Sequence, residues 1–253
     1  MLISVLCSGS SGNCTYVETH NHKILIDLGM NLKYISSKLD DLGVNISDID
    51  IVCVTHTHSD HTGAMKTFFK KYNPIVLMDP KMLPELDFLS EYPDLCFDNG
   101  NIVFDTLSIE VIKTSHDAPG SRAYIIREDN SSMIYITDTG YINHKLFDKM
   151  TNLNLYVFEA NHDIEMLMHG KYPAWLKARV RGDEGHLSNS QAAFYLSKVI
   201  GPDTKNIILA HLSEENNMPE LALKEVSSVL EDYKNIKLTH AFRNEKTEVF
   251  EIW

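Results

Sequence analysis

The stretch Ile51-Val-Cys-Val-Thr55, followed at once by His56-Thr-His58-Ser-Asp60-His61-Thr-Gly63, decides how this chain is read. An apolar, β-branched run of strand length ends in an HxHxDH cluster, and apolar spacing predicts a helix over Gly63 to Tyr72 directly after it. In extended chain, residues two apart point the same way, so His56 and His58 can converge on one metal ion. The turn into the helix then redirects Asp60 and His61 toward a neighbouring position, so one loop can serve two metals. Imidazole and carboxylate suit zinc, manganese or iron, and the absence of a thiolate from the cluster leaves the choice among them open. Two divalent ions about 3.5 to 4 Å apart share a bridging hydroxide, a nucleophile available at neutral pH.

The alternative is a solvated polar loop that happens to hold three histidines, and the rest of the chain argues against it. Three further candidates stand where apolar runs stop: Thr114-Ser-His116-Asp, Ile136-Thr-Asp138-Thr-Gly and Ile208-Leu-Ala-His211-Leu-Ser. Ligands delivered from separate strand ends make a site at one edge of a rigid sheet. Strands are expected at Leu2 to Leu6, Cys14 to Glu18, Lys23 to Asp27, Ile51 to Thr55, Ile75 to Met78, Ile109 to Lys113, Ala123 to Arg127, Met133 to Thr137, Leu155 to Glu159 and Ile207 to Ala210. Besides the helix after the cluster, helices are expected at Leu32 to Leu42, Ser188 to Ile200 and Met218 to Leu230. Strand-rich halves with interspersed helices and no repeat, low-complexity tract or linker predict a layered α/β architecture, with 1–253 as one domain.

Bulk composition narrows the function classes. The 253 residues are 43% hydrophobic and 23% charged, ordinary for a globular chain. No apolar run approaches membrane-spanning length, and no basic stretch precedes the apolar start Met1-Leu-Ile-Ser-Val-Leu6, so a cytoplasmic location without membrane partners is expected. Cys7, Cys14, Cys53 and Cys96 form no CxxC pair and are expected to be buried, reduced thiols. A formal charge of -12 argues against a broad non-specific nucleic-acid surface. It does not exclude a local one, because two bound divalent ions dominate the field of their own cleft.

HxHxDH followed in order by a histidine, an acid and a final histidine resembles the metallo-β-lactamase superfamily over nearly the whole chain. The resemblance implies an αββα sandwich: two packed mixed β-sheets with helices on the outer faces. It also implies two metals, with His56, His58 and His116 on the first, Asp60, His61 and His211 on the second, and Asp138 bridging. Asp138 stands where many β-lactamases carry cysteine, which weighs against antibiotic hydrolysis. The opening Cys7-Ser-Gly-Ser-Ser-Gly-Asn-Cys14, with Asn161-His-Asp and Gly185-His-Leu-Ser-Asn189, is similar to the YycJ/WalJ-type branch. That similarity implies phosphodiester hydrolysis, including 5′-exonuclease action on DNA.

Diester hydrolysis needs an activated water, neutralisation of the non-bridging oxygens, and a proton for the departing oxygen. Metals supply the first two. His186 is the candidate for the third, since it follows the basic stretch Lys171, Lys177, Arg179 and Arg181 and precedes His211, as a non-ligand histidine does in phosphodiesterase branches. Asp60 is the second catalytic candidate, as a ligand that also orients the nucleophile. Ser11, Asn13, Asn161, His162 and Arg179 are candidate substrate contacts. Asp27 is read as support for a strand end near the metals, outside the ligand set. His20, His22, His144, His169 and His240 lack such context and are left outside the site. A carboxylic ester, thioester or lactone hydrolase is the competing enzyme reading, and a non-catalytic metal-stabilised binding or regulatory protein is the competing class.

Overall fold

The computed structural model describes residues 1–97 and 100–253. Strands β1 (Leu2–Cys7), β2 (Cys14–Glu18), β3 (Lys23–Ile26), β4 (Ile51–Cys53), β5 (Ile75–Leu77) and β6 (Leu95–Cys96) form one sheet. Strands β7 (Asn101–Phe104), β8 (Leu107–Lys113), β9 (Arg122–Glu128), β10 (Ser131–Ile136), β11 (Leu155–Glu159), β12 (Asn206–Ala210) and β13 (Lys237–His240) form the second, and β14 (Phe250–Glu251) returns to the edge of the first beside β1. Each sheet is mixed. In the first, β14, β1, β2 and β3 pair antiparallel and β3 to β6 run parallel. In the second, β7 to β10 pair antiparallel and β10 to β13 run parallel.

The period of two in the strands sorts side chains into three apolar layers. In β4, Ile51 and Cys53 face the core between the sheets, while Val52 and the following Val54 join the apolar layer with helices α1 (Leu32–Asp40) and α3 (Met65–Phe68), between which lies the short α2 (Ser59–Thr62). In β11, Leu155 and Val157 join the inter-sheet core, while Tyr156 and Phe158 pack toward α4 (Phe147–Met150), α7 (Asn189–Val199) and α8 (Pro219–Ser227). Strands buried on both faces read as continuous apolar runs, which is why β4, β11 and β12 stood out in the sequence. Helices outside two face-to-face sheets give the αββα sandwich that the motif implied. Helices α5 (Ile164–His169) and α6 (Ala174–Arg181) lie between β11 and α7 in the chain, and α6 borders the cavity described below.

Two expectations need correction. The helix expected over Gly63 to Tyr72 is instead two short pieces, α2 and α3, and the first starts inside the histidine cluster. The break has a cause: Ala64 N–H donates to Leu28 O, docking this segment on the turn after β3. Cys7, Cys14 and Cys53 are buried and unpaired, but Cys96 is only partly buried, because it sits on the edge strand β6. Burial pushes the Cys7 thiol up to about 12, so it stays protonated and unreactive. No helix among the described residues is long and apolar enough to cross a membrane.

One glycine holds three loops together. Gly29 N–H donates to Asn13 O, Asn13 N–H donates to Asp60 O, and Leu28 N–H donates to His61 O. A Cβ at Gly29 would lie 1.7 Å from Asp60 O and 2.4 Å from Asn13 N, and neither backbone atom can rotate away. Gly29→Ala is therefore expected to cost about 3 kcal/mol in denaturant unfolding and to displace Asp60 and His61. A wild-type unfolding midpoint would show that these loops are not clamped there.

Candidate active site

The carboxyl ends of central strands deliver the polar residues to one edge of the sandwich, the edge where open α/β sheets place ligands. β3 leads to Asp27, β4 to His56, β8 to His116, β10 to Asp138, β11 ends on Glu159, and β12 leads to His211. Asp27, Asp138 and His211 have φ of 61°, 57° and 57°. Left-handed backbone at non-glycine residues costs on the order of 1–3 kcal/mol each and survives where surrounding structure fixes it, most often at functional sites.

All seven residues read as ligands come together. His56, His58 and His116 form one cluster and Asp60, His61 and His211 a second, while Asp138 groups with His56 and His61 and also with His211. His56 Nε2 and His116 Nε2 lie 3.2 and 3.3 Å from His58 Nδ1. Nitrogens bonded tetrahedrally to zinc at about 2.0–2.1 Å are separated by roughly this distance. Asp138 Oδ2 is 3.2 Å from His61 Nε2, and Asp138 Oδ1 is 3.5 Å from His211 Nε2 and 3.8 Å from His116 Nε2, so this carboxylate spans both clusters. Asp60 Oδ2 lies 3.6 Å from His61 Nε2 and 3.5 Å from His211 Nε2.

The outer nitrogens are held so that the inner ones converge. His61 Nδ1 donates to Asp27 Oδ2 at 2.7 Å, and Asp27 in turn accepts from Thr55 N–H at 2.8 Å and Thr55 Oγ1 at 2.7 Å. His116 Nδ1 donates to the Glu184 and Gly185 carbonyls at 3.1 and 3.2 Å. His211 Nδ1 donates to Glu159 Oε1 at 3.2 Å. An Nδ1–H fixed in this way leaves the Nε2 lone pair pointing inward, as metal-ligating histidines require. The same crowding shifts the acidities. Burial and the neighbouring His61 push His56 well below the usual imidazole range. Burial alone would lower His61 too, but Asp138 and Asp27 outweigh it and raise it to about 10.

Whether the residues fit metal is tested by one atom. Asp138 Oδ2 is buried and accepts no hydrogen bond, despite the Nε2 of His61 beside it. An orphaned buried carboxylate oxygen costs several kcal/mol unless a cation meets it. The donor set therefore fits a dinuclear metal centre.

A cavity of about 350 Å³ opens over this centre, lined by His58, Asp60, Asp138, Asn161, Arg179, His186 and His211 among others. His186 Nδ1 donates to Glu159 Oε1 at 2.8 Å, which leaves Nε2 for a ligand in the cavity. Glu159 is fully buried, and its Oε2 accepts from the N–H groups of Thr139 and Leu187 at 3.1 and 3.2 Å. Burial by itself would raise this carboxyl, but His186 and His211 outweigh it and hold it at about 2. Glu159 was missed in the sequence because it closes an apolar strand; an acid at the end of Leu155-Tyr-Val-Phe158 was the available signal. Arg179 Nε donates to Asp117 Oδ2 at 2.6 Å, and Asp117 Oδ1 lies 3.7 Å from His58 Nε2.

Several expected substrate contacts sit elsewhere. Asn13 is fully buried, and its amide bonds Gly9, Asp60 and the Nε2 of His61, so it braces the loop under the metals. His162 is 1% exposed and does not line the cavity; burial lowers it to about 4, so it is neutral. It is Ser10, not Ser11, that lines the cavity. Asn161 does line it, and its amide donates to His211 O at 2.9 Å. Asp27 bonds His61 Nδ1 and Thr55 and joins none of the potential metal clusters. Among the described residues, His20, His22, His144, His169 and His240 join no potential metal cluster.

Comparison with known proteins agrees with this geometry. Residues 8–95 match the family model described as Metallo-beta-lactamase superfamily. The chain is 38% identical over 250 residues to Exodeoxyribonuclease YycJ of Bacillus anthracis, covering 97% of this chain and 94% of that protein. It is 37% identical over 229 residues to Exodeoxyribonuclease WalJ of Streptococcus pneumoniae serotype 2, covering 87% and 84%. Among solved structures, the metallo-beta-lactamase fold protein YhfI of Bacillus subtilis superposes with a TM-score of 0.75 at 16% identity, covering 99% of this chain and 100% of that one. At that identity the likeness speaks for the fold alone.

Proposed function

The chain belongs to the metallo-β-lactamase superfamily and, within it, to the YycJ/WalJ-type family; from that premise we propose that it is a phosphodiesterase acting on DNA as a 5′-exonuclease. The observation that carries the proposal is His186 on the cavity wall, fixed from behind by the buried Glu159, with Arg179, Asp60, Asp138 and His211 lining the same cavity. A diester needs both a proton donor for its leaving oxygen and a contact for its non-bridging oxygens, and His186 and Arg179 are side chains suited to those two tasks.

His56, His58 and His116 would hold one metal and Asp60, His61 and His211 the other, with Asp138 contributing to both. Bound there, two divalent ions supply an activated water and neutralise charge on the phosphate oxygens. Asp60 Oδ2, between His61 and His211, orients the nucleophile as well as binding. Arg179, its Nε anchored on Asp117, presents its terminal nitrogens to a phosphate oxygen. His186, its Nδ1 held by the buried Glu159 carboxylate, turns Nε2 to the cavity as the proton donor for the departing oxygen. Zinc is the ion proposed, on an imidazole-rich set with zinc-like nitrogen spacing; metal analysis distinguishes it from manganese or iron. The cytoplasm is the compartment proposed, in keeping with buried unpaired cysteines, and residues 1–253 are taken as one domain.

Metal-loaded protein is expected to cleave bis(p-nitrophenyl) phosphate and 5′-labelled DNA, to lose both activities in chelator, and to leave p-nitrophenyl esters and lactones nearly untouched. Acyl turnover without diester turnover would favour the esterase reading. Silence on every substrate, with metals bound, would favour a binding or regulatory role.

A further inference from the structure

We propose that the outer edge of α6 is a stacking platform for an unpaired nucleotide of the substrate strand, with Trp175 as the ring on which the base lies. The inference rests on the phosphodiesterase reading and adds what that site recognises besides phosphate.

Four observations converge on this edge. Trp175 is 67% exposed, more than any other large apolar side chain among the described residues. Such a ring left in water gives up most of the free energy its burial would return. Helical spacing places it next to the cavity: Trp175 and Arg179 are four residues apart on α6, as are Leu176 and Val180. Tyr172, Leu176, Arg179 and Val180 line the cavity, so Trp175 stands at its mouth, on the row that Arg179 continues inward.

Charge identifies the occupant. The segment 166–182 carries Lys171, Lys177, Arg179 and Arg181 without a single acid, in a chain with 35 acidic and 23 basic residues. A polyanion is drawn to that segment and repelled from most of the remaining surface. An exposed indole flanked by cations is how proteins hold single-stranded nucleic acid, since every base has a π-face and stacking tolerates any sequence. A paired base inside a duplex offers no free face, so the platform selects single strands or a frayed end. Arg179 sets the phosphate at the metals, and Trp175 takes a base one step outside.

The test uses the fact that Trp175 and Trp253 are the protein's two tryptophans. In a Trp253→Phe variant, emission reports on Trp175 alone. Titration with a nuclease-resistant phosphorothioate oligothymidylate is expected to quench it saturably, and a blunt duplex of equal length to quench it less. Trp175→Ala is expected to lower kcat/KM for single-stranded DNA, relative to that for bis(p-nitrophenyl) phosphate, by about ten- to a hundredfold through KM, with Trp175→Phe recovering most of it. Absent quenching together with an unchanged ratio would overturn the platform. If wild-type protein cleaves no diester at all, the phosphodiesterase reading fails by itself, while the titration still decides whether the edge binds a strand.

Discussion

Asp138→Ala is expected to abolish diester turnover, by roughly a thousandfold or more, and to release metal from both positions. The size of the effect follows from where the carboxylate stands. Its two oxygens lie 3.2 Å from His61 Nε2 and 3.5 Å from His211 Nε2, and Oδ1 also reaches within 3.8 Å of His116 Nε2 in the other cluster. Removing it takes one ligand from each ion and the charge that offsets their mutual repulsion. Of the carboxylates in the two clusters only Asp60 is then left, beside His61 and His211, and the cluster of His56, His58 and His116 keeps none. Asp138→Asn keeps the volume and removes the charge, so it should retain the fold while losing metal. The measurement is metal per chain after desalting, read beside turnover of bis(p-nitrophenyl) phosphate. Two metals per chain and full activity in Asp138→Ala would sink the dinuclear model.

The reasons Asp138 was visible in the sequence also explain what was not. It follows Ser131–Ile136, a strand buried on both faces, and any polar residue that ends such a run stands out. His116 and His211 are found by the same logic. Glu159 obeys it as well, yet an acid at a strand end has many ordinary uses, and only the fold shows His186, Leu187 and Thr139 gathered on its oxygens. The edge strands β13 and β14 left little pattern: Lys237–His240 is exposed or half-buried, and Phe250–Glu251 is two residues long. Their pairing is settled by neighbours far away in sequence, which local periodicity cannot report. The split of the helix after the cluster is of the same kind, since it depends on Leu28 and Gly29 arriving from β3. Asn13 is read toward the substrate as part of a Gly/Ser/Asn turn that could face phosphate, and His162 as part of Asn161-His-Asp. Burial decides against it, and their roles are to brace Asp60 and to pack beneath the segment that carries His186.

His186→Ala is expected to cut DNA cleavage by about a hundredfold to ten-thousandfold while leaving metal content at the wild-type level. The metal readout matters because His186 also lies close enough to Asp138, Glu159 and His211 to complete a ligand set. Loss of an ion in the variant would make His186 a ligand, and retention would leave it a proton donor. A second contrast comes from the leaving group. A deoxyribose alkoxide departs badly without a proton, whereas p-nitrophenolate is stable as an anion and needs little help. If His186 supplies the proton, the variant should lose far more activity on DNA than on bis(p-nitrophenyl) phosphate. A purely structural role for His186, holding Glu159 and through it His211, would depress both substrates alike and loosen the metal. Equal losses on the two substrates with metal retained would instead point to a phosphate contact made by the His186 ring, and would pass the proton donor's task to a water.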